Sequence, residues 1–412
     1  MNALDELCPR RCPHVEAHQR VDGTRRVTVL KHRGTFTYYR LSSLGTFVWH
    51  RLDGSRTIAT LQCEVERAGG AVACASVPSL LHGWSVRGLV VGLPLAQSAR
   101  SEDESWLARA SAVCFAALTW RRTWTRADPF TAALHGMLGR HFFTRGAVTA
   151  LAALSTAGLL AFVTLIAQGW MRTARAAQFG SSEILALVAS LQLATVLHEL
   201  AHALAVKHFR REVVGMGFGW HWFGPCFFVN TSDMWLAPRR ERVLVSLAGP
   251  ALDVGLGGGA ALLCSVAPQS LAPYLFVFSA NLYLRTVFNL CPLMQGDGYC
   301  VLVDLTGREN LRRNALGWWV RRLPSDWRDL AALRTHAFEI AYGAGSIAYL
   351  LASAWLSVWI WRDLATHVLT RVLPERGVAA LAWFFVTTAA VAFVAALACD
   401  LRVNARTTKG NL

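Results

Sequence analysis

Two histidines four residues apart flank a glutamate in the run Leu197-His198-Glu199-Leu200-Ala201-His202-Ala203. On an α-helix, residues i and i+4 share a face, so both imidazoles can reach one metal ion while Glu199, about 100° further round, stands beside it. Those residue types at that spacing suit metal-assisted hydrolysis, with two imidazole ligands and a carboxylate as general base. A zinc ion held by two histidines needs a third protein ligand and one open position for water. One candidate of the right type follows in Asn289-Leu290-Cys291-Pro292-Leu293-Met294-Gln295-Gly296-Asp297-Gly298-Tyr299. There Pro292 breaks a helix, two glycines give an irregular backbone, and Asp297 can turn back toward the histidines.

The elements that must position these residues are membrane helices. The chain has 412 residues, of which 54% are hydrophobic and only 16% charged, and the apolar residues are segregated into long runs. Ile184 to Val206 is uncharged apart from the metal-ligand triplet. About 20 apolar residues cross the hydrocarbon, and six stretches qualify, near 147–168, 184–206, 243–266, 271–290, 337–361 and 377–398. The fold class expected is therefore mainly α, a polytopic bundle of about six transmembrane helices over 146–412. Asp253 and Arg285, in the third and fourth stretches, read as an ion pair or as groups facing the site. Trp170, Trp318, Trp319, Trp355, Trp359 and Trp361 lie near span ends and read as an interfacial belt.

Charge placement gives an orientation. Met1 to Arg40 is polar and has no signal-peptide pattern, so the N-terminal region is expected in the cytosol. Arg140 and Arg145 precede the first span, Lys207, Arg210 and Arg211 follow the second, and Arg239, Arg240 and Arg242 precede the third. A further basic group, Arg308, Arg312, Arg313, Arg321, Arg322, Arg328 and Arg334, lies between the fourth and fifth. With six spans these all fall on one side, which places both termini in the cytosol. The net charge of +15 is accounted for by this topology and by attraction to anionic lipid, so the lipid bilayer is a partner and nucleic acid is not.

Ahead of the bundle, residues 1–95 read as a small α+β cytosolic domain. Arg26 to Lys31 and Thr35 to Leu41 alternate around Arg33-Gly34 and predict a β-hairpin. Ser42 or Ser43 caps a first helix that Asp53-Gly54 ends; Ser55 or Thr57 opens a second, and a third runs from Val77 to Arg87. Cys8, Cys12, His14 and His18 have metal-like spacing, but an unstructured basic start with reduced thiols is the simpler reading of them. Residues 96–145 form a connector suited to the membrane surface. The Gly-, Trp- and Phe-rich stretch from Gly215 to Trp235 reads as a re-entrant hairpin or an interfacial loop.

Tyr39-Arg40-Leu41-Ser42, Phe47-Val48-Trp49 and Leu52-Asp53-Gly54-Ser55-Arg56-Thr57-Ile58 resemble the PqqD-like fold, a winged-helix-type module. The resemblance implies a domain that binds a leader or substrate peptide by strand addition. His-Glu-x-x-His in one span with Asn-x-x-Pro-x-x-x-x-Asp-Gly after a later one is similar to the site-2 protease family of intramembrane zinc metallopeptidases, over roughly residues 145–310. That resemblance implies His198, His202 and Asp297 as zinc ligands, Glu199 as catalytic base and Asn289 as an active-site polar residue, from its placement a donor to the developing oxyanion. Asp297-Gly298-Tyr299 with Val301 to Leu305 and Asn310-Leu311-Arg312 is similar to a subgroup in which a PqqD-like module precedes the peptidase core. It implies a peptide or protein substrate, a peptide export or modification system as partner, and the bacterial inner (cytoplasmic) membrane as location. Gln295-Gly296 departs from the family, which has a bulkier apolar residue before the aspartate, and predicts a less rigid third ligand. The rival reading is a zinc-containing membrane accessory that hands a peptide on without cutting it; Glu199 argues against it, since such a protein needs no base between its ligands.

Overall fold

The computed structural model describes residues 6–22, 25–69, 71–93, 120–176, 179–221, 224–308, 310–321 and 330–369, with the single positions Gly377 and Trp383. The fold is mostly helical, and the chain divides into two compact units, Met1–Gln97 with Arg121–Thr306 and Ser98–Trp120 with Gly307–Leu412.

The first unit begins with an α+β module. Strands β2 (Val15–Asp22), β3 (Arg25–His32) and β4 (Thr37–Arg40) form an antiparallel sheet in that order, while β1 (Arg10–Arg11) pairs with β5 (Val90–Val91). The hairpin expected at 26–41 is therefore present, and the start of the chain, expected to be unstructured, supplies β1 and β2 as well. Its residues alternate weakly in hydropathy because β2 is an edge strand whose register is set by β3. Helix α1 (Ser43–Trp49) is capped by the Ser42 hydroxyl, which accepts from the Gly45 N–H at 3.0 Å. Gly54, at φ 86°, ends the turn that follows. Helices α2 (Ile58–Gly69), α3 (Ala71–Ala75) and α4 (Val77–Val86) close over a core of Leu30, Val48, Trp49, Leu61, Leu81 and Trp84, the two tryptophans edge to face at 5.6 Å.

Strand β3 alternates, and its two faces bury different things. Leu30 enters the module core; Val27 and Val29 pack on Leu236 in the segment 232–236, and Lys31 reaches Asp233 at 2.8 Å and Glu212 at 2.5 Å. Tyr38 donates to the same Asp233 oxygen at 2.8 Å, and Arg20 donates to the Trp235 carbonyl. The module is thus joined to the helical core by a seam in which Lys31, Asp233 and Arg20 are buried and partnered, with Glu212 at its exposed rim.

The second half of the expected connector belongs to that core. Strand β6 (Arg121–Trp124) adds to β7 (Gly215–His221) and β8 (Gly224–Asn230) as an antiparallel sheet in the order β6-β7-β8, and helix α5 (Ala127–Leu134) packs against the histidine-bearing helix. The 215–235 stretch is accordingly a β-hairpin followed by a short 3-10 helix at Ser232–Leu236.

Three helices are long and apolar enough to cross a membrane among the described residues: α6 (Arg145–Ala167), α8 (Ser181–His208), which follows the short α7 (Trp170–Ala176), and α9 (Arg239–Cys264). They form a membrane-embedded bundle. The most apolar windows of α6 and α8 are only 11% buried in the protein, against 50% for α9, so α9 is the inner helix and the other two present apolar side chains outward. Glycines let α9 sit there, since a Cβ at Gly158 of α6 would lie 2.1 Å from the Gly258 Cα of α9. Glu183 caps α8 by accepting from the Gly180 N–H. The fourth expected span forms α10 (Ala272–Leu290), a helix interrupted by Asn281, Arg285 and Asn289, and α11 (Asp297–Thr306) follows it.

In the second unit α12 (Leu311–Arg321) and the short α13 (Leu330–Thr335) precede α14 (Ala337–Leu369), which contains the fifth expected span; the sixth lies outside the described residues apart from Gly377 and Trp383. Among the described residues, the helices that satisfy both length and apolarity are those at the first, second and third expected spans. Trp318 is buried and Trp319 donates to the Ile340 carbonyl at 3.0 Å, so these two tryptophans pack helix on helix instead of joining an interfacial belt.

Candidate metal centre

Helix α8 delivers both histidines from one face, as their spacing requires. His198 and His202 are each 6% exposed, and their Nε2 atoms are 3.2 Å apart. Asp297, at the first position of α11, brings Oδ2 to 3.3 Å from each Nε2. Among the described residues this is the one group of three His, Cys, Asp or Glu side chains whose ligand atoms converge; Cys8, Cys12, His14 and His18 do not.

The donor set fits a divalent metal by geometry and by proton count. A tetrahedral centre with bonds of about 2.0 Å has ligand atoms about 3.3 Å apart, which is the spacing of all three edges. Each histidine Nδ1 meets a group that only accepts: Asp253 Oδ2 at 2.9 Å from His198 and the Val245 carbonyl at 2.7 Å from His202. Both imidazoles therefore carry their proton on Nδ1 when neutral, and two Nε2 lone pairs face each other and a carboxylate oxygen. A divalent cation satisfies three such converging acceptors at once.

Asn289 stands against the third ligand. Its Nδ2 donates to Asp297 Oδ2 at 2.6 Å, its Oδ1 accepts from the Asp297 N–H at 3.1 Å, and Nδ2 lies 3.4 Å from His198 Nε2. The looseness expected from Gln295-Gly296 is not found. A Cβ at Gly296 would fall 2.7 Å from Asn289 Oδ1, and one at Gly298 would fall 2.0 Å from the Leu290 carbonyl. The two glycines let the loop close onto the end of α10, and Asn289 then grips Asp297 at both main chain and side chain. Glu199 is held from the other direction: its Oε2 accepts from the Val229 N–H of β8 at 2.9 Å.

Other residues at the site carry no signal in sequence spacing. Gly249 of α9 faces the two imidazoles, and a Cβ there would lie 2.5 Å from each Nε2. Asp253, fully buried one turn later, does bond Arg285 as expected, through Nε at 2.9 Å and through Nη2, but the same Oδ2 also takes His198. Arg285 further donates to Thr195, one turn before His198, at 2.7 Å. Val245 and Val229 act only through main-chain atoms, which no residue type announces.

No family model matches the chain, and no solved structure matches it. Among curated proteins, the chain is similar to one from Bacillus subtilis (strain 168) named "Putative peptide zinc metalloprotease protein YydH", with 26% identity over 128 residues. The match takes in 30% of this chain and 49% of that protein, so the chain spans about half the length of the curated relative it matches.

Proposed function

We propose that the chain is a membrane-embedded zinc metalloendopeptidase of site-2 protease type, acting on a membrane-associated or exported peptide. The observation that carries this reading is the convergence of His198 Nε2, His202 Nε2 and Asp297 Oδ2 at tetrahedral spacing, next to a glutamate held by a strand edge. The zinc metalloprotease name of the Bacillus subtilis relative agrees with it.

A zinc ion held by these three ligands would supply a Lewis acid for the scissile carbonyl and bring the pKa of a water there to about 7. Glu199, fixed through Oε2, presents its other oxygen to take the proton of an attacking water and return it to the leaving amine. Asn289 keeps Asp297 in place with one amide hydrogen and turns the second toward the space beside His198, where an oxyanion would develop. Strand β8 is the edge of its sheet, and the Val229 N–H points to Glu199, away from β7. Pro225, on the same edge by the strand's two-residue period, has no N–H to leave unpaired. An extended peptide pairing along this edge would run beside Glu199 with its backbone aligned for attack. His198 lies ten residues before the end of α8 at His208, about 15 Å at 1.5 Å per residue, and the basic residues at that end make it the cytosolic side, from which water enters. The N-terminal module is the PqqD-like element that recruits the peptide, and an export or modification system is the partner that supplies or removes it.

Two measurements test this. Full-length protein purified in detergent carries about one zinc per chain, and His202→Ala loses it. Glu199→Gln keeps the zinc but no longer cleaves an internally quenched peptide library that wild type cleaves. A zinc-free wild type refutes the metal centre, and a zinc-loaded wild type with the same peptide map as Glu199→Gln refutes the peptidase.

A further inference from the structure

Asp253 and Arg285 lie behind the ligands and touch no candidate reacting atom. Asp253 is fully buried in α9, 55 residues from His198 in sequence, and its Oδ2 is shared between His198 Nδ1 and Arg285 Nε, each at 2.9 Å. Arg285 of α10 grips both oxygens of the carboxylate and ends on Thr195 Oγ1 at 2.7 Å. Thr195 and His198 are on adjacent turns of α8. The chain of contacts therefore starts and finishes on the ligand helix, passing through α9 and α10, and closes a ring of three helices around one imidazole. His202 has no such support: its Nδ1 meets the Val245 carbonyl, a neutral group of α9's own main chain.

A simple ion pair between α9 and α10 would need only the fork between Arg285 and Asp253. The geometry does two further things. It places His198 Nδ1 on the same Oδ2 that Arg285 Nε bonds, and it ties the guanidinium to the helix that carries His198. A carboxylate acceptor makes an imidazole a stronger donor to a cation than a carbonyl does, and it fixes both tautomer and ring plane.

We propose that Asp253 is a positioning residue for the metal centre, with Arg285 and Thr195 as its clamp, so that His198 is the anchoring histidine and His202 the weaker of the two ligands. The proposal rests on the metal reading of the preceding section, but it concerns the affinity for the ion, so the two can fail separately.

The test measures zinc affinity of the full-length protein in detergent, by competition with a chromogenic chelator, alongside the visible spectrum of the cobalt-loaded form. Asp253→Asn is expected to weaken zinc binding by roughly tenfold to a hundredfold and to shift the cobalt bands, because the imidazole loses its charged partner. Asp253→Asn leaves the half-buried Arg285 without its counter-charge, so the double variant Asp253→Leu with Arg285→Met is measured beside it; replacing both members of such a pair by apolar residues of similar volume is commonly tolerated by the fold. If the pair serves only to hold helices together, the folded double variant binds zinc as wild type does and its cobalt spectrum is unchanged, which overturns the proposal. If it positions His198, the double variant melts like wild type yet keeps the weakened affinity. A wild type that binds no zinc refutes the metal centre itself, a different outcome from a wild type and a double variant that bind it equally.

Discussion

The sharpest consequence of the packing concerns Gly249, where one methyl group should remove the metal. A Cβ on Gly249 would sit 2.5 Å from His198 Nε2, 2.5 Å from His202 Nε2 and 2.7 Å from His198 Cδ2, whereas ordinary contact begins at 3.4 Å. Gly249→Ala must therefore move each imidazole by roughly 0.9 Å, or push α9 away by as much. Neither ring can yield by turning, because each is pinned at Nδ1, one on Asp253 at 2.9 Å and the other on the Val245 carbonyl of the same helix at 2.7 Å. Metal sites hold their ligand distances to within about 0.2 Å, so both ligands leave bonding range. A loss of zinc affinity of at least about a hundredfold follows, about 2.8 kcal/mol at 1.4 kcal/mol per tenfold.

Gly259→Ala is the control. It lies on the same helix with nothing within 4 Å of its added methyl, and alanine is the better helix former by about 1 kcal/mol in water, so that variant should bind zinc normally and fold at least as well. The assay is zinc stoichiometry after dialysis against a chelator series, with thermal melting in detergent to establish that both variants are folded. A folded Gly249→Ala protein that retains wild-type zinc affinity would refute the placement of α9 against the two histidines, and with it the route by which Asp253 reaches His198.

Three further outcomes are expected. Asn289→Ala should weaken zinc binding by about tenfold, since it removes both restraints on Asp297 while leaving the loop glycines in place; unchanged affinity would show that the loop alone fixes the ligand. Arg242 bonds Asp304 at 2.7 Å and the Ala237 carbonyl at 3.2 Å, tying the start of α9 to the helix that begins with Asp297; Arg242→Leu breaks this buried ion pair and should cost up to about 3–5 kcal/mol of stability, read as a fall in melting temperature. At the seam, burial pushes the Asp233 carboxyl up, but hydrogen bonds from Lys31, the Glu212 N–H and Tyr38 bring it below its ordinary 3.8, and the same carboxylates raise Lys31 above its ordinary 10.5 against the effect of burial. Their contribution is therefore whole between those two ordinary values, lost in acid as pH falls through the lowered Asp233 value, and lost in base as pH rises through the raised Lys31 value. The melting-temperature gap between wild type and Lys31→Met should be constant inside that window and shrink below it, and a gap that persists unchanged at lower pH would refute the pairing.

Much of the centre was legible because its first layer obeys spacing rules. Histidines at i and i+4 have to share a helix face, and a proline followed by glycines has to turn the chain, so His198, His202 and Asp297 could be grouped across nearly a hundred residues. What supports them was not legible, for a physical reason. Asp253 and Arg285 read as an ion pair or as groups facing the site, and Asp253 is both; nothing in either stretch says which imidazole the shared oxygen meets. Gly249 is one of several glycines in α9, and only its turn and its face of the helix distinguish it from Gly259, which has open space. The edge strands β2 and β6 were missed because their partners, β3 and β7, carry the hydrophobic pattern for them. Nor could it be read that both faces of β3 are buried, since Lys31 reads as a solvated charge until Asp233 and Glu212, about two hundred residues away, are brought beneath it.

The charges at the candidate centre are those a divalent ion would balance. Glu199, Asp253 and Asp297 are three acids brought together by membrane-crossing and adjacent helices, and Arg285 is the base bonded among them. With neutral histidines, three negative charges and one positive leave a formal charge of minus two, which a divalent cation cancels. A site inside a bundle cannot rely on water to screen such an excess, and an unbalanced charge there costs far more than at a surface. Removing Arg285 alone would leave the metal-loaded site at minus one, and neutralising Asp253 alone would leave it at plus one. The arginine therefore offsets Asp253, so that this carboxylate supports His198 without tipping the balance that a divalent ion would complete.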